Sequence, residues 1–255
     1  MSDSDLKFEL QKAITENQLV LHYQPRIVIE TRVMRGVEAL VRWRHPSRGL
    51  VAPAELIAAA ERAGLMRDLE TWVIHEALLQ ASVWRRDGLR AGVSVNSSPA
   101  LLRDEAFLRL FDRTLKIQGD PTTLIVEVAA ANLGADRPVE GLARLRERGV
   151  RLALDDVTEP AQLDAAAWTR WDYVKLGRAV VGPAAKDAAS GERLRRLTDR
   201  TAGLGVRVVA MGVEDDATLA LLREAGVFMA QGYAISPPLG VKELSEWVAG
   251  RGRPV

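Results

Sequence analysis

The chain has 255 residues, 47% of them hydrophobic, and 35 Lys and Arg against 34 Asp and Glu, for a formal net charge of +1. That balance excludes a global pull toward nucleic-acid polymers or anionic membranes, so any anion must be bound by local groups. The absence of cysteine excludes disulfides and thiolate metal sites. No apolar run approaches the roughly 20 residues that span a bilayer. The polar, acidic start Met1-Ser2-Asp3-Ser4-Asp5 lacks the basic and apolar regions of a signal peptide. A soluble cytoplasmic protein of one domain is expected, since α/β barrels reach this size as single units.

Residues 6–16 have helical spacing, and Leu19-Val20-Leu21-His22-Tyr23-Gln24-Pro25 reads as a strand stopped by its proline. A turn near Glu30-Thr31-Arg32 leads into a second strand, Gly36-Val37-Glu38-Ala39-Leu40-Val41-Arg42-Trp43. The pair reads as a hairpin, so one strand should run antiparallel to its neighbour. Alternation puts Val37, Ala39 and Val41 on one face and Glu38, Leu40 and Arg42 on the other. A buried Glu38 would have to be paired or ligated; the alternative is a Glu38–Arg42 salt bridge on a solvated face. From here strand-like and helix-like runs alternate. Helices are expected over 53–63, 68–86, 104–116, 139–148, 191–204 and 215–225 and from Val241. Strands are expected at 91–96, 123–128, 150–156, 173–176, 206–211 and 228–231. About eight strand-like runs is the count of a closed barrel. The expected fold class is therefore α/β, a TIM-like (β/α)8 barrel with one antiparallel strand. An open doubly wound sheet competes, but no Gly-x-Gly-x-x-Gly turn follows the first strand.

Active sites of parallel barrels lie at the carboxyl ends of the strands. The polar residues there are Glu38, Asn96, Glu127, Asp155, Asp156, Lys175 and Gln231. Oxygen donors of this kind suit magnesium, manganese or calcium. The three histidines, His22, His45 and His75, do not pair in sequence, so zinc is not expected. Each residue also has a bland role: Asp155-Asp156 a turn and cap, Asn96 a cap, Glu127 solvent-facing, Lys175 snorkelling. Their joint placement at consecutive strand ends is what marks a site. The six tryptophans read as core, and Arg85-Arg86 and Arg195-Arg196 as solvated helix faces.

These residues resemble the EAL domain, the phosphodiesterase module that opens cyclic di-GMP to its linear dinucleotide. The resemblance runs from Tyr23-Gln24-Pro25 through Glu38-Ala39-Leu40-Val41-Arg42-Trp43-Arg44-His45-Pro46, Val95-Asn96, Asp155-Asp156 and Lys175 to Gln231-Gly232-Tyr233. It implies that Glu38, Asn96, Glu127 and Asp155 hold one magnesium or manganese ion, that Asp155 shares a second with Asp156, and that Lys175 orients the attacking water. It also implies that Arg42 holds a phosphate, with Gln24, Leu40 and Gln231 lining the bed of the dinucleotide beside Glu38, Asn96 and Asp155. The departures from the family pattern are grouped. Ala210-Met211-Gly212-Val213-Glu214 has a thioether where the family's Ala-Glu-Gly-Val-Glu has its first glutamate. Val157-Thr158-Glu159-Pro160-Ala161-Gln162 replaces the loop Phe-Gly-Thr-Gly-Tyr-Ser-Ser. Ala129 and Ala130 replace the Thr and second Glu of Glu-x-Thr-Glu, and Gly177 replaces the aspartate of Lys-Ile-Asp. The expectation is a catalytically degenerate EAL domain acting as a cyclic di-GMP receptor for a downstream protein partner, with a single weakly held metal ion or none. No nucleic-acid polymer and no membrane insertion are expected. A residual phosphodiesterase, or an interaction module that has lost the nucleotide, are the alternatives.

Overall fold

Eight strands close on themselves in the computed structural model, which describes residues 3–118, 120–134 and 138–250. The strands are β1 (Leu19–Val28), β2 (Met34–His45), β3 (Gly49–Val51), β4 (Gly92–Asn96), β5 (Leu124–Ala129), β6 (Arg151–Val157), β7 (Tyr173–Leu176), β8 (Arg207–Ala210) and β9 (Met229–Ala230). Around the barrel the order is β1, β9, β8, β7, β6, β5, β4, β2 and back to β1, with β3 paired only to the far end of β2. β1 is antiparallel to both its neighbours, and the other barrel pairings are parallel. The TIM-like barrel with one antiparallel strand is thus the observed fold.

Pro25 does not stop β1, which runs on to Val28. Proline lacks an amide donor, and its nitrogen faces the side on which Tyr23 bonds Leu239, where β9 pairs only with Ile27 and Val28. No ladder bond is lost there, so the strand continues. In the resulting register Gln24 stands opposite Glu38 and Arg26 opposite Gly36.

The helices are α1 (Asp3–Thr15), α2 (Pro53–Ala63), α3 (Met66–Arg86), α4 (Glu105–Gln118), α5 (Glu140–Glu147), α6 (Pro160–Ala165), α7 (Arg178–Val181), α8 (Ala188–Ala202), α9 (Asp216–Glu224) and α10 (Val241–Gly250). No described helix is long and apolar enough to cross a membrane. The main core lies between barrel and helices: Val37, Ala39 and Val41 from β2 belong to the same buried core as the Leu69, Val73, Ile74, Ala77 and Leu78 stripe of α3. Full burial of each such large side chain contributes about 1.5–3 kcal/mol. Inside the barrel a separate apolar layer of Ile125, Ala153, Tyr173, Val209 and Met229 carries Val28 and Met211 against it. Strand alternation stacks a polar layer above it, toward the carboxyl ends, and this layer contains the site.

Candidate functional site

Lys175 is the centre of the polar layer. On β7 the residues alternate, so Tyr173 and Lys175 point into the barrel while Val174 packs outward. Lys175 is 0% exposed, which overturns the snorkelling reading. Its Nζ donates to Glu38 Oε2 at 3.1 Å and Asp155 Oδ1 at 3.0 Å, and also to Glu127 Oε2, so carboxylates from three strands converge on one ammonium. Amides complete the ring: Asn96 Nδ2 donates to Glu38 Oε1 at 3.2 Å, and Gln231 Nε2 donates to Glu38 Oε2 at 2.9 Å and to Gln24 Oε1 at 2.8 Å. Gln24 Nε2 in turn donates to the Ser236 carbonyl at 3.1 Å. The Glu38–Arg42 bridge does not form, because Glu38 is held by these groups while Arg42 Nη1 donates to the Val41 carbonyl at 2.9 Å. Arg42 and Leu40 are half-buried on the same face of β2.

Arg26, which sequence reasoning missed, reaches the layer from β1. It is 2% exposed and donates from Nη1 to Glu127 Oε1 at 3.0 Å and from Nη2 to the Val37 carbonyl at 3.1 Å. Parity was the available signal, since Arg26 shares the inward face of β1 with Gln24. Against Glu38, Glu127 and Asp155 the layer therefore sets Lys175 and Arg26, leaving one net negative charge. Burial pushes the Glu127 carboxyl up and the nearby Glu38 charge adds to this, with Lys175 and Arg26 pulling the other way. Glu38 is held below the usual range: burial opposes its ionisation, but Lys175, the Gln231 amide and Arg26 outweigh it. Burial alone would lower Lys175, yet Glu127, Glu38 and Asp155 raise it, so it stays protonated.

Asp155 and Asp156 part company. β6 is irregular between Leu154 and Val157, and Asp156 adopts φ 53°, a left-handed conformation that Asp tolerates better than most residues. Asp155 turns in to Lys175, while Asp156 is exposed and its carboxylate lies against Gly177, where a Cβ would collide with it. Gly177 therefore fits the observed position of Asp156. Met211, just beyond β8, packs its thioether on the inner apolar layer, and its amide donates to the Leu176 carbonyl at 3.0 Å. Glu214 does not turn in beside it. It is 43% exposed and paired with Arg178, whose side chain lies over Gly212. Where the family loop would follow Asp156, the chain enters α6: Pro160 opens the helix, and Gln162 Oε1 accepts from the Thr158 and Glu159 amides at 2.7 and 2.9 Å. Arg193 of α8 clamps this turn through the Thr158 carbonyl at 3.0 Å and the Glu159 carboxylate. Ala130 is buried and apolar at the position of the missing brace.

Hard oxygen donors suit a divalent ion, but their arrangement does not. Both Glu127 oxygens and both Glu38 oxygens are bonded to cations or amides, Asp155 Oδ1 is bonded to Lys175, and Asp156 points elsewhere. Among the described residues no group of three or more His, Asp or Glu side chains is placed to hold a metal. As arranged, these residues do not fit the ion the resemblance implies, because Lys175 fills the centre. A second omission is Glu70 on α3, buried and accepting from Ser97 Oγ at 2.7 Å and the Ser98 amide at 3.3 Å, just after Asn96. Its place in the apolar stripe of α3 was the signal. A cavity of about 430 Å³ lined by Arg35, Arg85, Arg151, Arg207 and Phe228 lies at the amino ends of the strands, away from the cluster.

Known proteins share this architecture. Residues 8–238 match the EAL domain family. The chain is 33% identical over 255 residues to the cyclic di-GMP phosphodiesterase PA2567 of Pseudomonas aeruginosa, which covers 94% of this chain and 42% of that protein. It is 30% identical over 246 residues to the cyclic di-GMP phosphodiesterase PdeR of Escherichia coli, covering 95% and 37%. The chain thus spans about two fifths of the length of these relatives. Among solved structures it superposes on the PaMucR phosphodiesterase in its c-di-GMP complex with a TM-score of 0.84 at 29% identity, over 94% of this chain and 99% of that one. The Xanthomonas citri FimX EAL domain in complex with c-diGMP, with a TM-score of 0.83 at 22% identity over 93% and 95%, is alike in fold. With the fold, the matched span and these relatives in agreement, the chain belongs to the EAL domain family.

Proposed function

We propose that this chain is a single EAL-type unit that binds cyclic di-GMP at the carboxyl end of its barrel in the cytoplasm, does not open the ring, and passes its occupancy to a protein partner. The observation that carries the reading is Met211. At the strand end where the resemblance calls for a glutamate, a thioether packs on the apolar interior while the nearest carboxylate of that loop, Glu214, is engaged outside by Arg178. A thioether neither ligates a hard cation nor takes a proton. Losing a group that acts only in the transition state removes turnover while leaving ground-state binding largely intact. Groups suited to holding a bound dinucleotide are present: the Arg42 guanidinium for a phosphate, and the Gln24–Gln231 amide pair, whose Gln231 Oε1 is buried without a donor. Binding that needs no divalent ion agrees with the internal cations Lys175 and Arg26.

The test is calorimetric titration with cyclic di-GMP in EDTA and again in magnesium, with chromatography for the linear dinucleotide. Saturable binding in both buffers with no product supports the proposal. Turnover at an ordinary enzymic rate, roughly 1 per second or faster, replaces it with a phosphodiesterase. Absence of binding replaces it with an interaction module.

A further inference from the structure

The end of the barrel opposite the carboxylate cluster carries the reverse charge. The cavity of about 430 Å³ there is lined by Arg35 at the start of β2, Arg85 and Arg90 around the end of α3, Arg151 on β6 and Arg207 on β8. Among the described lining residues Asp120 is the one carboxylate, so the five guanidiniums leave an excess of four positive charges, in a chain whose formal net charge is +1. Like charges gathered in this way repel one another, and a bound anion relieves the repulsion. We infer that this cavity is a second ligand site, separate from the carboxyl end of the barrel, and that it takes a nucleoside di- or triphosphate. The inference does not depend on whether cyclic di-GMP binds.

The guanidiniums divide into held and unengaged ones. Arg85 is answered by Asp120 at 2.7 Å, and Asp120 also accepts from the Thr122 amide and hydroxyl. Arg151 is fixed in place: Nε donates to the Thr122 carbonyl at 3.1 Å, Nη2 donates to the same oxygen, and Nη1 donates to the Tyr173 hydroxyl at 3.0 Å. Three of its five N–H groups are so used, which leaves one on each terminal nitrogen for an oxyanion. Arg90 makes no hydrogen bond or ion pair among the described residues, and Arg207 lies over the Phe228 ring, 5.3 Å from its centroid. Arg90, Arg151 and Arg207 thus offer charge from one turn and two strands, and phosphate is a group whose geometry the guanidinium fork matches. Phe228 is 37% exposed, and nucleobases stack on aromatic rings and on guanidinium planes alike. Met229 and the Tyr173 ring, from the inner apolar layer, supply the floor. The volume falls within the roughly 300–1,000 Å³ of small-molecule sites. The near-neutral chain has no wider field to hold a nucleic-acid strand, so a small polyanion with a flat ring is the fitting occupant.

The probes are ATP and inorganic tripolyphosphate, titrated without divalent metal by calorimetry in about 150 mM salt, where charges are screened beyond about 8 Å. ATP should bind once per chain with a Kd below about 100 μM. Replacing the two exposed arginines together, Arg90→Gln with Arg207→Gln, should weaken both probes at least about tenfold, and Arg151→Gln should do the same. Phe228→Ala should weaken ATP at least about threefold and leave tripolyphosphate within about twofold. Arg42→Ala, at the other end of the barrel, should leave ATP binding unchanged. Absence of saturable ATP binding overturns the inference. So does ATP binding that Arg42→Ala removes and the Arg90→Gln, Arg207→Gln pair does not, because the nucleotide would then sit at the carboxyl end. Tripolyphosphate binding as tightly as ATP overturns the assignment to a nucleoside phosphate, and a single-stranded oligonucleotide held by the same arginines more tightly than ATP makes this end a polymer-binding face instead. Should Arg151→Gln fail to fold once the Thr122 carbonyl and Tyr173 hydroxyl lose their donor, the Arg90 and Arg207 pair still decides. A failed cyclic di-GMP titration would count against the receptor reading and leave these ATP results standing.

Discussion

Glu70 offers a test in which stability, pH and the candidate site are linked through one side chain. It lies between Leu69 and the Val73–Ile74 pair in the buried stripe of α3, and its oxygens tie that helix to Ser97 and Ser98, the residues that follow Asn96. Burial pushes its carboxyl from an ordinary 4.5 up to about 7, the hydrogen bonds from Ser97 and Ser98 offsetting only part of the rise. The folded value is above the unfolded one, so the folded state binds the proton more tightly. Glu70's contribution to stability is then fully present below about pH 4.5 and is lost as the pH rises through about 7. At about 1.4 kcal/mol per pH unit, the shift sets a ceiling of about 3 kcal/mol. Glu70→Gln removes the titration and keeps the contacts, since the amide oxygen can accept from the Ser98 amide while the amide nitrogen donates to Ser97 Oγ. In urea unfolding at pH 5, 6, 7 and 8, the variant should match the unaltered protein within about 1 kcal/mol at pH 5 and exceed it by about 2–3 kcal/mol at pH 8. Parallel stability curves across that range would refute the reasoning, because they would mean that Glu70 ionises as freely folded as unfolded.

Three further outcomes follow from the polar layer. Lys175→Met strands Glu38, Glu127 and Asp155 around an apolar side chain and should cost about 3–5 kcal/mol in chemical denaturation at neutral pH; a loss under about 1 kcal/mol would mean that the carboxylates are not held by it. Arg42→Ala should weaken cyclic di-GMP binding by about 1.5–3 kcal/mol through loss of a charge-assisted phosphate contact, while unfolding changes little because Arg42 is half-buried and donates to its neighbour's carbonyl; unchanged affinity would remove it from the ligand bed. Met211→Glu sets a carboxylate on the layer of Ile125, Ala153, Tyr173, Val209 and Met229 and should cost about 1–3 kcal/mol without restoring turnover by itself; linear product at roughly 1 per second would show that Met211 alone blocks the reaction.

The barrel was legible because its signals are local. Period-two runs such as Val37, Ala39 and Val41, alternating with helical stripes, fix the count of strands and the burial of each face, and the short turn before Gly36 fixes the antiparallel pair. The end of β1 was misread at Pro25 because a missing amide matters only if a neighbour stands on that side, which is tertiary information. At the site, the strand-end positions identified Glu38, Asn96, Glu127, Asp155, Lys175 and Gln231, and the resemblance added Gln24; the structure brings these into one bonded network, while Asp156, read with them, turns away. Their partners were less legible. Whether Glu127 meets solvent or Arg26, and whether Lys175 snorkels or sits at 0% exposure, depends on which side chains a closed barrel aims at one another. Sequence spacing within single strands does not carry that.

The departures from the family pattern look scattered along the chain but meet in two packed neighbourhoods. Gly177 leaves the room in which the Asp156 carboxylate lies, and that orientation goes with the left-handed turn of Asp156. The turn delivers the backbone into α6, whose start is closed by Gln162 and clamped by Arg193. Just beyond the adjacent strand β8, Met211 extends the apolar layer by one residue, and Gly212 provides the left-handed step, φ +68°, over which Arg178 reaches Glu214. Each replacement is thus accommodated by contacts of its neighbours, so a single reversal meets a surface shaped for the residue already there. Groups packed in this way respond non-additively to substitution. Restoring Glu at Met211 would leave Asp156 turned toward Gly177 and α6 still clamped, so any gain should grow sharply only when these neighbourhoods are changed together.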